Sequence, residues 1–246
     1  MPRRLGQHFL IRTSTLSRIA SASVPEPGLT VVEIGPGRGA LTQFLLPAAG
    51  RLIAIEVDPV LVHYLNEKFR GEPNFELIHS DVMATDLGQW GPVSVAGNLP
   101  YYITSPIVEK VLALGPLLKN AVFLVQKEVA ERIAAKPGTR EYGYLSVLCQ
   151  VAADVKYLVT VPPGAFRPPP KVDSAVVQLI PRPQPIVADI PEFLKFASVC
   201  FVQKRKTLRN NLLEKFPGIE SQPEAKLRAE QLPVEQMADL WSRLRV

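Results

Sequence analysis

The chain has 246 residues, 47% of them hydrophobic, enough for one large core and a small appended domain. Its formal net charge of +5 suits an anionic partner without identifying one, and its three histidines and two cysteines show no metal-ligand spacing. No run reaches the about 18 uncharged apolar residues of a membrane span, and the basic N-terminus lacks a signal peptide's apolar segment, so a cytoplasmic protein without a metal is expected.

Residues 1–25 form a basic segment, with Arg3, Arg4, Arg12 and Arg18 and no acid. Short β-branched runs then alternate with helical patterns: 30–34, 51–57, 75–79, 93–96 and 121–125. That alternation predicts an α/β fold, a mostly parallel, Rossmann-like sheet wrapped by helices. Residues 156–161 and 174–180 read as two more strands, joined by a proline-rich link too short for a crossover helix. They are expected to pair antiparallel at the end of the sheet. Pro181, Pro183, Pro185 and Pro191 mark a stiff linker, after which the pattern is helical over 191–202, 204–216 and shorter pieces to about 244. Two domains follow, 1–183 and a small helical one over 184–246. Cys149 and Cys200 lie far apart in apolar surroundings and read as buried thiols.

The first strand runs into Glu33-Ile34-Gly35-Pro36-Gly37-Arg38-Gly39-Ala40, with a helix expected from about Ala40. Gly35 and Gly37 at such a turn let backbone approach a nucleotide-like ligand. The spacing also satisfies the dinucleotide fingerprint, with Glu56 placed for a ribose, so a nicotinamide dehydrogenase is a rival at this point. Glu33 before the glycines and Asp81 after the third strand tilt the choice. Acids at three successive strand ends suit a ligand with a ribose, an adenine amine and a cationic amino-acid portion, with no pyrophosphate to repel. Glu56 or Asp81 taken alone could equally cap the following helix.

The fourth strand ends in Gly97-Asn98-Leu99-Pro100-Tyr101-Tyr102, where α/β enzymes place their chemistry. The exocyclic amine of adenine is a weak nucleophile because its lone pair is delocalised into the ring. Two acceptors for its hydrogens would favour a pyramidal nitrogen aimed at an electrophile. Asn98 offers a side-chain carbonyl, the proline-stiffened Leu99-Pro100 junction a backbone one, and Tyr101 a flat face for the base. A turn closing a strand is the plainer reading of the same four residues.

These segments resemble the ribosomal RNA adenine dimethyltransferase family, nearest its bacterial small-subunit branch. The likeness rests on Leu5-Gly6-Gln7-His8-Phe9-Leu10, Val32-Glu33-Ile34-Gly35-Pro36-Gly37 and Gly97-Asn98-Leu99-Pro100-Tyr101. It extends to Gln126-Lys127-Glu128-Val129, Phe166-Arg167-Pro168-Pro169-Pro170-Lys171-Val172-Asp173-Ser174 and Lys204-Arg205-Lys206-Thr207-Leu208-Arg209-Asn210. Six motifs in order are more specific than any one.

The resemblance implies a class I methyltransferase fold with S-adenosylmethionine as donor and no metal. It implies two methyls on each of two adjacent adenosines near the 3′ end of 16S ribosomal RNA. The partner would be small-subunit RNA or a pre-30S particle, met by a monomer. It places His8, Leu10, Gly35, Gly37, Glu56, Asp81 and Asn98 at the cofactor, where family members often have Asn in place of His8. Asn98 and the Pro100 carbonyl would hold the amine, with Tyr101 and Phe166 stacking on the base. Arg3, Arg4, Lys204, Arg205, Lys206 and Arg209 are expected to meet RNA phosphates, the 184–246 domain serving as the RNA-binding one. Two alternatives stay open: methylation of a large-subunit adenosine, as in the antibiotic-resistance relatives, and an assembly factor that binds RNA without catalysis. Residues 163–174 and the basic tail favour the small-subunit branch.

Overall fold

Runs of Val, Ile, Leu and Ala that are apolar at nearly every position can be buried on both faces, and in the computed structural model they form the middle of one sheet. The structure describes residues 8–245, so Arg3 and Arg4 lie outside the described residues. The strands are β1 (Phe9–Leu10), β2 (Thr30–Ile34), β3 (Arg51–Glu56), β4 (Phe75–His79), β5 (Val93–Asn98), β6 (Leu118–Gln126), β7 (Ala153–Val161), β8 (Phe166–Arg167) and β9 (Ser174–Pro181). Seven of them make a sheet of order β4-β3-β2-β5-β6-β9-β7. The ladders from β4 through β6 are parallel, and β9 returns antiparallel to β6. The mostly parallel sheet with an antiparallel end is therefore as expected.

After β4 the chain crosses back over β2 to lay down β5. That reversal opens a crevice beyond the carboxyl ends of β2 and β5, where open α/β sheets bind ligands. Gly97 belongs to the closeness of these strands: a Cβ there would stand 2.6 Å from the Ile34 carbonyl oxygen. The short strand β1 pairs antiparallel with β8, Leu10 opposite Phe166 and Phe9 opposite Arg167, a pairing across more than 150 residues that periodicity does not announce.

The helices are α1 (Thr13–Ser23), α2 (Thr42–Leu45), α3 (Pro59–Lys68), α4 (Thr104–Leu112), α5 (Lys127–Ile133), α6 (Tyr144–Gln150), α7 (Ile190–Cys200), α8 (Leu208–Leu212) and α9 (Val234–Leu244). The helix expected from Ala40 is the single turn α2, which starts two residues later. Among the described residues no helix is long and apolar enough to cross a membrane.

The chain forms two compact units. The first comprises the residues up to 130 together with 156–181; its core packs Leu16, Ile19, Val31, Leu45, Leu52 and Val122 around the sheet. The second comprises 131–155 and everything from 182 on. Here the structure departs from the expected division at 183/184. Residues 131–155, assigned by sequence to the first domain, contribute Tyr142, Val147 and Val151 to the same apolar cluster as Phe193, Leu208 and Trp241. In α9 the buried Val234, Met237, Ala238 and Trp241 fall at helical spacing on one stripe. Cys149 and Cys200 are free and buried, and burial pushes both thiols up.

A second departure concerns the basic run. The helix expected over 204–216 begins only at Leu208, because the Thr207 side chain caps it by accepting from the Asn210 N–H. Lys204, Arg205 and Lys206 therefore sit on the turn before α8, not on a helix face.

Candidate active site

The carboxyl ends of β2, β3, β4 and β5 open into one cavity of about 820 Å³. Glu33, Gly35 and Gly37 reach it from β2, Glu56 from β3, Asp81 from β4 and Asn98 from β5, with His8 and Leu10 closing one side. All seven residues expected at the cofactor thus line one space.

Glu56 is held by backbone donors on both oxygens: Gly37 N–H at 3.1 Å on Oε2, and the N–H groups of Val57 and Asp58 at 2.9 and 3.0 Å on Oε1. It does not cap α3. Asp58 does, accepting from the Val60 N–H at 2.9 Å with Pro59 at the first helical position. Asp81 accepts from the Met83 N–H at 2.8 Å through Oδ1, so it braces its own turn while still lining the cavity. Glu33 is fully buried and accepts from the Thr42 hydroxyl at 2.7 Å. Burial pushes its pKa up to about 7; the Thr42 bond opposes the rise, and the neighbouring Glu56 charge adds to it. Four acidic side chains, Glu33, Glu56, Asp58 and Asp81, line the one cavity, which opposes a pyrophosphate and favours a ligand with a cationic portion.

Gly37 shows why the loop is glycine-rich. Its φ is +58°, and a Cβ would meet the Phe9 ring at 2.9 Å. The Arg38 guanidinium lies 5.1 Å from the centre of the same ring.

On the β5 side, Asn98 Nδ2 donates to the His8 carbonyl at 2.9 Å, which leaves the side-chain oxygen of Asn98 as its acceptor for a ligand. His8 Nδ1 in turn donates to the Pro168 carbonyl at 2.8 Å, and the His8 ring stacks near Tyr101 with 6.2 Å between centres.

The Pro100 carbonyl, expected to hold the amine, is otherwise engaged. It accepts from the Ile103 N–H at 3.2 Å and the Thr104 hydroxyl at 3.1 Å, closing the turn into α4. With both lone pairs used, the acceptor remaining at this junction is the Leu99 carbonyl, one residue earlier.

Tyr101 lines the cavity, and its hydroxyl shares a 2.7 Å hydrogen bond with the buried Ser174 at the start of β9. Burial raises its pKa, the Ser174 bond opposing. The sequence carries no signal for this tie beyond the presence of Ser174 at the end of the segment that begins at Phe166. The expectation for Phe166 itself is corrected. It is 2% exposed, packed with Leu10, Leu16 and Ala165, and does not line the cavity, because pairing of β8 with β1 turns its side chain into the core.

The basic residues of the second unit differ in their ties. Lys204 bonds to the Arg140 carbonyl and lies 3.7 Å from Glu230, and Arg209 grips Glu220 through Nε and Nη2 at 3.1 and 2.6 Å. Arg205 and Lys206 are exposed, and neither side chain has an ion-pair partner among the described residues. Among the described residues no group of three or more His, Cys, Asp or Glu could hold a metal ion.

The family model described as ribosomal RNA adenine dimethylase matches residues 2–245. A ribosomal RNA small subunit methyltransferase A from Prosthecochloris aestuarii is 41% identical over 247 residues, covering 99% of this chain and 94% of the relative. Among solved structures, a dimethyladenosine transferase from Plasmodium falciparum superposes with a TM-score of 0.87 at 27% identity, over 97% of this chain and 98% of that one. The 23S rRNA methyltransferase ErmE follows with a TM-score of 0.80 at 29% identity, over 97% and 100%. With a family match over nearly its whole length and relatives of like length, the chain belongs to the ribosomal RNA adenine dimethylase family, enzymes that methylate adenine in ribosomal RNA.

Proposed function

We propose that the chain transfers methyl groups from S-adenosylmethionine to the exocyclic amines of two adjacent adenosines near the 3′ end of small-subunit ribosomal RNA. The observation that carries this reading is the Asn98 tether: with its nitrogen bound to the His8 carbonyl, its side-chain oxygen is left as an acceptor, and Leu99, whose carbonyl offers a second one, lines the same cavity as Tyr101. Two acceptors draw on both amine hydrogens and help the nitrogen lone pair leave the ring system. Tyr101, half-buried and hydroxyl-anchored, offers a face on which an extruded base can stack.

The opposite side of the cavity fits the donor. Glu56, fixed by three backbone N–H groups, suits a ribose diol; Asp81 keeps one oxygen for an adenine amine; Glu33 favours a cationic amino-acid end. Gly35 and Gly37 keep the approach clear, while Leu10 of β1 and His8 just before it close it. Bound S-adenosylmethionine supplies an electrophilic methyl on a cationic sulfur. The methylated amine then sheds an acidic proton, so neither a metal nor a strong protein base is called for.

The small-subunit target, the pre-30S partner, the monomeric state and the cytoplasmic location are part of this proposal. The target is supported by the 41% identity to the small-subunit relative against 29% to ErmE. Labelled donor incubated with small or large subunits from cells lacking the enzyme tests it. Label on two adjacent adenosines of the small subunit is expected; label only on the large subunit would transfer the chain to the ErmE-like reading. No label on either would end the enzymatic one.

A further inference from the structure

Tyr102 follows the tetrapeptide, and none of the chemistry above uses it. Tyr101–Ile103 make one 3-10 turn, in which successive side chains are thrown about 120° apart. Tyr101 is half-buried and tied to Ser174, whereas Tyr102 is 69% exposed, yet both line the same cavity. Tyr102 therefore stands at the mouth, turned away from the pocket that Tyr101 serves. Its turn is pinned from below by the two hydrogen bonds to the Pro100 carbonyl.

Ten large apolar or aromatic residues are exposed among the described residues, and four of them, Val57, Val60, Met83 and Tyr102, line this one cavity. Exposure concentrated in that way marks surface that a ligand covers. Val57 and Val60 follow β3 and Met83 follows β4, on the side of the cavity proposed above for the donor with Glu56 and Asp81. Tyr102 follows β5, next to Tyr101, on the side of the cavity proposed above for the target base.

An adenine drawn out of its strand leaves the adjoining base with one face unstacked. We propose that Tyr102 is the stacking platform for the nucleotide adjoining the target adenine, distinct from Tyr101 inside the cavity; this rests on the RNA-adenine reading above. A ring face accepts any base, so the platform adds affinity and fixes the strand's approach, without reading sequence. The tyrosine hydroxyl plays no part in it.

The test measures KM and kcat on unmodified small subunits, together with the thermal shift produced by S-adenosylmethionine. Tyr102→Ala is expected to raise KM for the subunits about tenfold, the smaller part of the loss falling on kcat. Its donor-induced thermal shift should match that of the wild type, and Tyr102→Phe and Tyr102→Trp should return KM to within about twofold of it. An unchanged KM in Tyr102→Ala would overturn the platform. So would Tyr102→Phe as poor as Tyr102→Ala, which would assign a hydroxyl contact, or a lost donor shift in Tyr102→Ala, which would assign the ring to the donor. Wild-type protein that labels neither subunit would instead overturn the adenine reading beneath the proposal.

Discussion

With its amide nitrogen spent on the His8 carbonyl, Asn98 has one strong acceptor to offer, and Asn98→Ala removes that acceptor and the tether together. Turnover is expected to fall by on the order of 100-fold or more, with RNA retained in a filter-binding assay. A kcat within about twofold of wild type would take Asn98 out of the chemistry. Glu33 makes a prediction about pH. Burial raises its pKa from 4.5 in the free side chain to about 7 in the fold. Between those values the folded state binds more protons than the unfolded one, so this residue makes stability fall as pH rises through the window. Above it the cost is on the order of 3 kcal/mol. Glu33→Gln keeps the shape without the charge. It is expected to melt higher than wild type near about pH 8, with the gap closing near about pH 5, and to show a smaller thermal shift with S-adenosylmethionine. A melting difference that does not change with pH would remove the buried charge as its cause.

The elements that matter most for the site are the short ones. Strand β1 is two residues long, yet it brings Leu10 and the preceding His8 to the cavity and lays Phe9 on Gly37. In Gly37→Ala a side chain is forced to positive φ, costing roughly 1–2 kcal/mol, and the new Cβ must displace the Phe9 ring. The melting temperature should drop by a few degrees, and the donor-induced shift should be largely lost. A normal donor shift would show that the Phe9 contact is dispensable. The 3-10 turn after β5 is equally economical: its first carbonyl is consumed by Ile103 and Thr104, which leaves Leu99 to present an acceptor and puts Tyr101 and Tyr102 on different sides.

The chain forms two compact units, and the second is proposed to meet RNA phosphates. Its cations are unequal, since Lys204 and Arg209 are held by Glu230 and Glu220 while Arg205 and Lys206 are not. Replacing Arg205 and Lys206 with alanine is expected to weaken binding to small subunits and to make the salt dependence shallower by roughly 1.5 in log–log slope, leaving the donor shift in place. An unchanged slope would place the phosphate contacts elsewhere. Much of this was legible beforehand. Apolar runs and turn residues are local signals, so the strands of the sheet, the glycine loop and the Asn98-Leu99-Pro100-Tyr101 end of β5 could be read directly from the chain. What the sequence could not carry was partner choice over long separations. Pairing of residues 9–10 with 166–167 buried Phe166, which composition alone left free to stack on a base. Ser174 found Tyr101 across 73 positions, and Tyr142, Val147 and Val151 joined the helical core. Periodicity reports which face of an element is apolar; only packing decides what that face, or a carbonyl such as that of Pro100, is used against.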